Sequence, residues 1–178
     1  MLVHAGFVLW FTGLSGAGKT TLARALETEL QNRYMRVERL DGDTVRQSLT
    51  RDLGYTRADR DMNIERVTFV AKLLSRNNVV VLGAFISPFA ETRDYVRRET
   101  TNFIEVFVDA PLEVCAQRDV KGLYEQAFAG EIENFTGVNH PYEVPQRPDI
   151  HVHTDRETVQ ESTAKILSWL ENRGLIPA

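Results

Sequence analysis

Gly13-Leu14-Ser15-Gly16-Ala17-Gly18-Lys19-Thr20 constrains this chain more than any other stretch. It matches G-x-x-x-x-G-K-[ST] in full, and its context is as informative as its letters. The run Phe7 to Phe11 ahead of it is continuously apolar, as expected of a strand buried on both faces of a parallel sheet. Behind it, Leu22, Leu26 and Leu30 recur at helical spacing from about Lys19 onward. A glycine loop between such a strand and such a helix turns backbone N–H groups toward phosphate oxygens, and the helix adds the positive end of its dipole. Gly13 to Thr20 is therefore the expected ATP-binding loop, with Lys19 reaching the β- and γ-phosphates and Thr20 a ligand of Mg²⁺.

The rest of the chain repeats the alternation. Strands are expected at Val37–Leu40, Val79–Phe85, Phe103–Val108 and Ile150–His153. Helical stripes run through Ile64, Val67, Ala71 and Leu74, through Val114, Cys115 and Arg118, and through Val159, Ile166, Leu167 and Leu170. A further helix is expected to begin at Pro88, where no N–H is needed. Thr154 and Glu157 have capping-box spacing for the last helix, and Gly174 is its expected stop. This is the α/β pattern of a P-loop NTPase-type parallel sheet with helices on both faces. Its chemistry is expected after Thr12, Leu40, Phe85 and Val108, at the carboxyl ends of the strands. Val120 to Arg147 interrupts the rhythm with Gly122, Gly130, Gly137, Pro141 and Pro145 among aromatics, and reads as a lid at about 120–147 within one kinase domain spanning 1–178.

Composition excludes several other classes. The 178 residues carry 21 Lys plus Arg against 25 Asp plus Glu, a net charge of −4, which argues against general nucleic-acid binding. Cys115 is the only cysteine, so neither a disulfide nor a cysteine-rich zinc site can form, and it reads as a small buried hydrophobe. Val79–Ile86 is the longest apolar stretch, far short of the roughly 20 residues of a membrane-spanning helix. The apolar start, Met1 to Phe11, lacks a basic region and a cleavage site, and reads as the first strand of a cytoplasmic enzyme. His4, His140, His151 and His153 share no metal spacing on a helix and read as structural or solvated, although His151 and His153 would face one side of a strand.

The loop alone leaves the class of nucleotide enzyme open. An N-K-x-D base-reading motif is missing, which disfavours a switch GTPase, and Val79–Phe85 runs into Ile86-Ser87-Pro88 rather than Asp-Glu, which disfavours an ATPase machine. Shortness, an arginine-rich segment after the second strand and a late lid point to a small-molecule kinase. Asp41 and Asp43 flank a glycine at a strand end. One can orient or deprotonate an acceptor hydroxyl while the other holds Mg²⁺ or its waters, and Asp43 is the expected neighbour of the hydroxyl. The competing reading is an Asp-Gly turn with two solvated carboxylates. Arg57 and Arg66 read as surface charge balanced by Asp52, Asp59 and Asp61.

Trp10-Phe11-Thr12-Gly13-Leu14-Ser15-Gly16 resembles the same region of adenylylsulfate kinases. The resemblance extends through Leu40 to Arg46, Asp52-Leu53-Gly54-Tyr55, Asp59-Arg60 with Asn63, Phe85 to Phe89, Lys121 to Tyr124, Phe135-Thr136-Gly137 and Pro141-Tyr142-Glu143. These blocks are collinear and span nearly the whole chain. The resemblance implies transfer of the γ-phosphoryl of ATP, with Mg²⁺, to the 3′-hydroxyl of adenosine 5′-phosphosulfate. It implies Lys19, Asp41, Asp43 and Ser87 as catalytic and Arg118 as a further ATP contact. Asp43, Arg46, Tyr55, Arg60, Asn63, Ile86, Ser87, Lys121, Leu123 and Phe135 are implied for the acceptor. Tyr55, where phenylalanine is more usual, and Phe135 would clamp adenine. Ser87 enters because enzymes of that family have been described with a phosphoserine there; taken by itself, Ser87 reads as a helix cap. Met62 and Glu65 depart from the family pattern, which has an acid and an arginine. Dimers are frequent in that family, and the resemblance leaves a homodimer and functional coupling to ATP sulfurylase open. Two rivals stand beside it: a kinase of nucleoside monophosphates or sugar acids, and a nucleotide-sensing module without an acceptor site.

Overall fold

In the computed structural model, which describes residues 5–119 and 121–177, five parallel strands form one sheet in the order β2-β3-β1-β4-β5. They are β1 (Val8–Thr12), β2 (Val37–Asp41), β3 (Val80–Ala84), β4 (Phe103–Asp109) and β5 (Ile150–His153). The helices are α1 (Lys19–Asn32), α2 (Gly42–Gln47), α3 (Arg57–Ser75), α4 (Ala90–Glu99), α5 (Leu112–Arg118), α6 (Leu123–Phe128) and α7 (Val159–Asn172). Met1 and His4 lie outside the described residues, as does Val120, so the expectations for the extreme start and for the first lid residue are not carried further. Among the described residues no helix is long and apolar enough to cross a membrane.

The unbroken apolar run of β1 follows from its place at the centre. Phe7, Leu9 and Phe11 pack against α1 and α7 on one face, with Leu22, Leu26, Leu30, Ile166 and Leu170. Val8 and Trp10 pack on the other face with Ile64, Val67, Ala71 and Val96 of α3 and α4. Both faces are dry, so alternation has no reason to appear. Gly83 of β3 is required beside Trp10, because a Cβ there would lie 2.6 Å from the indole ring. Parallel register brings Asp41 level with Ala84 and Thr12 level with Phe107, so the strands end together. Strand order reverses direction about β1, and the crevice at such a switch point is where ligands bind.

Four local expectations are corrected. Asp41-Gly42-Asp43 is not a turn with two solvated carboxylates: Asp43 is exposed, but Gly42 and Asp43 already belong to α2. The buried Asp41 caps α2, its carboxylate accepting from the Asp43 N–H at 3.1 Å. The helix after β3 begins at Ala90 rather than Pro88, and Ser87 is not its cap; Ser87 sits at φ 39. The capping box of α7 is Thr158 with Glu161, not Thr154 with Glu157. Thr154 N–H donates to the Asp109 carbonyl at 2.9 Å, which keeps Thr154 tied to β4 and delays the helix by four residues. The lid is not wholly irregular, for it contains α6, whose first N–H groups are received by the Asp119 carboxylate.

Candidate active site

A cavity of about 840 Å³ opens at the carboxyl end of the sheet. Ser15, Gly16, Gly18, Lys19 and Thr20 line it from the glycine loop, Asp41, Asp43 and Arg46 from β2 and α2, and Tyr55, Arg60 and Asn63 from the α3 region. Ile86 and Ser87 line it after β3, and Arg118, Lys121, Leu123 and Phe135 from α5 and the lid. Three loop residues stand behind the wall instead. Gly13 and Leu14 present carbonyls to Lys19, and the buried Ala17 presents its carbonyl to the Thr154 hydroxyl at 2.7 Å.

The Lys19 ammonium donates to Gly13 O at 3.0 Å and Leu14 O at 2.6 Å. Burial lowers its pKa to about 8, against the pull of Asp41 and Asp43. Among the described residues the acceptors of this buried cation are these two loop carbonyls alone, with no carboxylate within ion-pair distance. Thr20 Oγ1 donates to Asp41 Oδ2 at 2.6 Å, so a hydroxyl from the first turn of α1 and a carboxylate from the end of β2 meet beside the loop. Asp43, two residues further on, is exposed and ion-paired with Lys121 of the lid.

Arg46 and Arg60 meet on Tyr55. The Arg46 guanidinium lies 4.3 Å from the ring centroid and that of Arg60 5.6 Å. Arg46 donates to the Leu53 and Gly54 carbonyls, Arg60 to those of Tyr55 and Asn134. Among the described residues neither has a carboxylate within ion-pair distance, in contrast to Arg57 with Asp61 and Glu91, or Arg66 with Asp52. Burial and the neighbouring Arg46 charge pull the Arg60 pKa down. Two guanidiniums on one ring, without counter-charges among the described residues, are chemically suited to an anion. Asn63, buried below them, accepts from Thr50 at 2.7 Å. Met62 and Glu65, the departures from the family pattern, both face solvent on an unbroken α3, so they leave the cavity wall unaltered.

Phe135 is buried edge-on against Tyr124, with ring centroids 4.9 Å apart, whereas Tyr55 is 57% exposed. Ser87 Oγ is also buried; it accepts from Trp10 Nε1 at 3.0 Å and lies 3.4 Å from the Phe85 carbonyl. Arg118 donates to Gly16 O and to both oxygens of Thr154.

Sequence reasoning missed several members. Thr154 joins the phosphate loop to Arg118, and Tyr124 donates from its hydroxyl to Ser15 O at 2.8 Å. Arg93 is buried, ion-paired with Glu105 at 2.8 Å, and donates to the carbonyls of Ser87 and Glu143 at 2.8 and 2.7 Å. It thus fastens the end of the lid to the loop after β3. A buried arginine in the amphipathic α4 carries no local signal, since its partners lie elsewhere in the chain.

The sheet order, the lysine-bearing glycine loop and the lid together define a P-loop kinase of small molecules. The sequence pattern of the adenylylsulphate kinase family matches residues 5–153, and the chain belongs to that family. A probable adenylyl-sulfate kinase of Pseudomonas aeruginosa is 71% identical over 167 residues, 94% of this chain and 78% of that one. The adenylyl-sulfate kinase of Halothermothrix orenii is 58% identical over 96% of this chain and 92% of its own length. The structure of the Mycobacterium tuberculosis APS kinase in complex with AMPPNP and APS superposes with a TM-score of 0.90 at 42% identity, covering 94% of this chain and 99% of that one.

Proposed function

We propose that this chain transfers the γ-phosphoryl group of ATP to the 3′-hydroxyl of adenosine 5′-phosphosulfate, giving 3′-phosphoadenosine 5′-phosphosulfate. The observation that carries the acceptor half of this reading is the pair Arg46 and Arg60, two guanidiniums over one exposed aromatic ring that have no carboxylate partner among the described residues. A phosphosulfate supplies the missing negative charge, and its adenine supplies a face for Tyr55 and Phe135. Leu123, Ile86 and Asn63 complete that wall.

Transfer of a phosphoryl group needs alignment and charge neutralisation more than covalent help. In this reading Gly13 to Gly18 wrap the ATP phosphates with backbone N–H groups, Lys19 exchanges its loop carbonyls for phosphate oxygens, and Arg118 lies against the ATP base. The family implies Mg²⁺ with the nucleotide, and the donor set fits a hard ion: the Thr20 hydroxyl and the Asp41 carboxylate are oxygen ligands beside the phosphate loop. Bound there, Mg²⁺ neutralises charge on the β- and γ-phosphates. Asp43 orients the 3′-hydroxyl and takes up its proton, and Lys121, released from Asp43, turns to the transferring group. Residues 121–147 act as a lid that excludes water and so suppresses ATP hydrolysis. Ser87 shapes the acceptor floor in this direct, in-line route. An ATP sulfurylase is the coupled upstream enzyme in this reading.

The test is a coupled ATP-consumption assay against a panel of acceptors. Adenosine 5′-phosphosulfate is expected to be strongly preferred over AMP, gluconate and shikimate. Equal turnover of AMP would move the chain to the nucleoside monophosphate kinases.

A further inference from the structure

Outside the cavity, strand pairing builds a second polar cluster. β4 and β5 run parallel with Phe107 opposite His151 and Asp109 opposite His153. Ile150 and Val152 turn into the core, so His151 and His153 both stand on the opposite face, two residues apart. Asp109 Oδ2 lies 2.9 Å from His151 Nε2 and 3.4 Å from His153 Nδ1. One ligand atom from each of the three side chains falls within 4.8 Å of the other two. The imidazole centroids lie 4.1 Å apart with the rings inclined at 38°, and Phe107 backs His151 at 4.8 Å.

We propose that Asp109, His151 and His153 bind one divalent transition-metal ion of the zinc type, at a site separate from the ATP cavity. A hydrogen bond to Asp109 alone would account for His151. It does not account for a second imidazole directed at the same carboxylate oxygen. Tetrahedral zinc, with bonds of about 2.0–2.2 Å to nitrogen and oxygen, separates its ligand atoms by roughly 3.3–3.5 Å. The 3.4 Å separation of His153 from Asp109 already matches that, and the 2.9 Å separation of His151 needs to open by only about 0.5 Å to admit an ion. Two imidazoles with one carboxylate suit Zn²⁺, Co²⁺ or Ni²⁺ and do not suit Mg²⁺, which prefers an all-oxygen shell. The three side chains are each more than a third exposed, so water has access to the remaining coordination positions. Strand backbones hold all three ligands, and sites on strands are positioned better than sites on loops.

The site adjoins the phosphate loop through one residue. Thr154 follows His153 directly; its hydroxyl donates to Ala17 O and accepts from Arg118.

Calorimetric titration of the nucleotide-free protein with Zn²⁺ tests the site, with the visible spectrum of bound Co²⁺ as a second readout. Saturable binding of one ion per chain is expected, with the intense absorption of a four-coordinate Co²⁺ centre. His151→Ala, His153→Ala and Asp109→Asn should each weaken zinc binding by about tenfold or more, with thermal melting checked for each. His140→Ala should leave binding unchanged, and excess Mg²⁺ should not displace the zinc. Absence of saturable uptake by the unaltered chain overturns the proposal. So does uptake that survives the double substitution His151→Ala/His153→Ala, or that Mg²⁺ abolishes. None of these readouts depends on kinase activity.

Discussion

Lys121 of the lid and Asp43 at the start of α2 form an ion pair that joins two parts of the cavity wall 78 positions apart in the sequence. Both side chains are about half exposed or more. A pair in that setting contributes about 1 kcal/mol or less to stability. Lys121→Ala should therefore leave thermal unfolding nearly unchanged. If the ammonium serves the transferring phosphoryl group, turnover should fall about 10²-fold or more. Steady-state kinetics beside a melting curve separates the two roles; unaltered turnover would reduce the pair to surface charge.

Lys19→Met should abolish transfer, with a loss of about 10²–10³-fold or more in kcat, while the chain still folds. The same substitution has a pH signature. Lys19 is protonated more weakly in the folded state, at about 8, than in the unfolded chain at 10.5. Its charge therefore opposes folding at and below pH 8, and the opposition fades as pH rises from about 8 toward 10.5. Without nucleotide, unaltered protein should gain stability over that window relative to Lys19→Met. Denaturant titrations of both proteins at pH 7 and pH 10 check the sign; parallel curves would contradict it.

Phe135→Ala should raise KM for adenosine 5′-phosphosulfate more than KM for ATP. Losing one base–aromatic stack costs about 1–3 kcal/mol, a factor of roughly 5 to 150. Phe135 also packs on Tyr124, so some stability is lost as well. The ratio of the two KM values is the measurement that stability alone does not move.

Ser87→Ala should keep most of the activity. The hydroxyl is occupied by Trp10 Nε1, and among the described residues no histidine or carboxylate is bonded to it that could activate it as a nucleophile. Its removal strands a buried indole N–H, at about 1–3 kcal/mol of stability. A chirally labelled γ-phosphoryl group should be inverted in the product. Retention together with a dead variant would instead require a phosphoserine intermediate.

Reading the sequence went furthest where the determinants are local. β1, the glycine loop and α1 are legible because periodicity and motif lie within a few dozen residues. Thr154 was not, because T-x-x-E occurs twice in succession, at Thr154 and at Thr158. Only the bond from Thr154 N–H to the Asp109 carbonyl decides between them. Arg93 shows the same limit, since Glu143 is 50 residues away. The acceptor side came from family blocks rather than from spacing, because Tyr55, Arg60 and Phe135 converge only through tertiary packing. The period-two alternation of a strand puts His151 and His153 on one face, whereas Asp109 joins them only through the register of β4 on β5.

The indole of Trp10, wedged over Gly83, stacked on Phe85 at 5.0 Å and bonded to Ser87, gives the protein a built-in optical gauge. Of the two tryptophans, Trp169 lies on α7 under the Arg173 guanidinium, among α7 residues remote from the acceptor floor. A Trp169→Phe chain would fluoresce from Trp10 alone, with the short-wavelength emission of a fully dry ring. Any ligand that shifts the Phe85–Ser87 segment must disturb that emission. Occupancy of the acceptor wall can then be followed in real time, without label and without turnover.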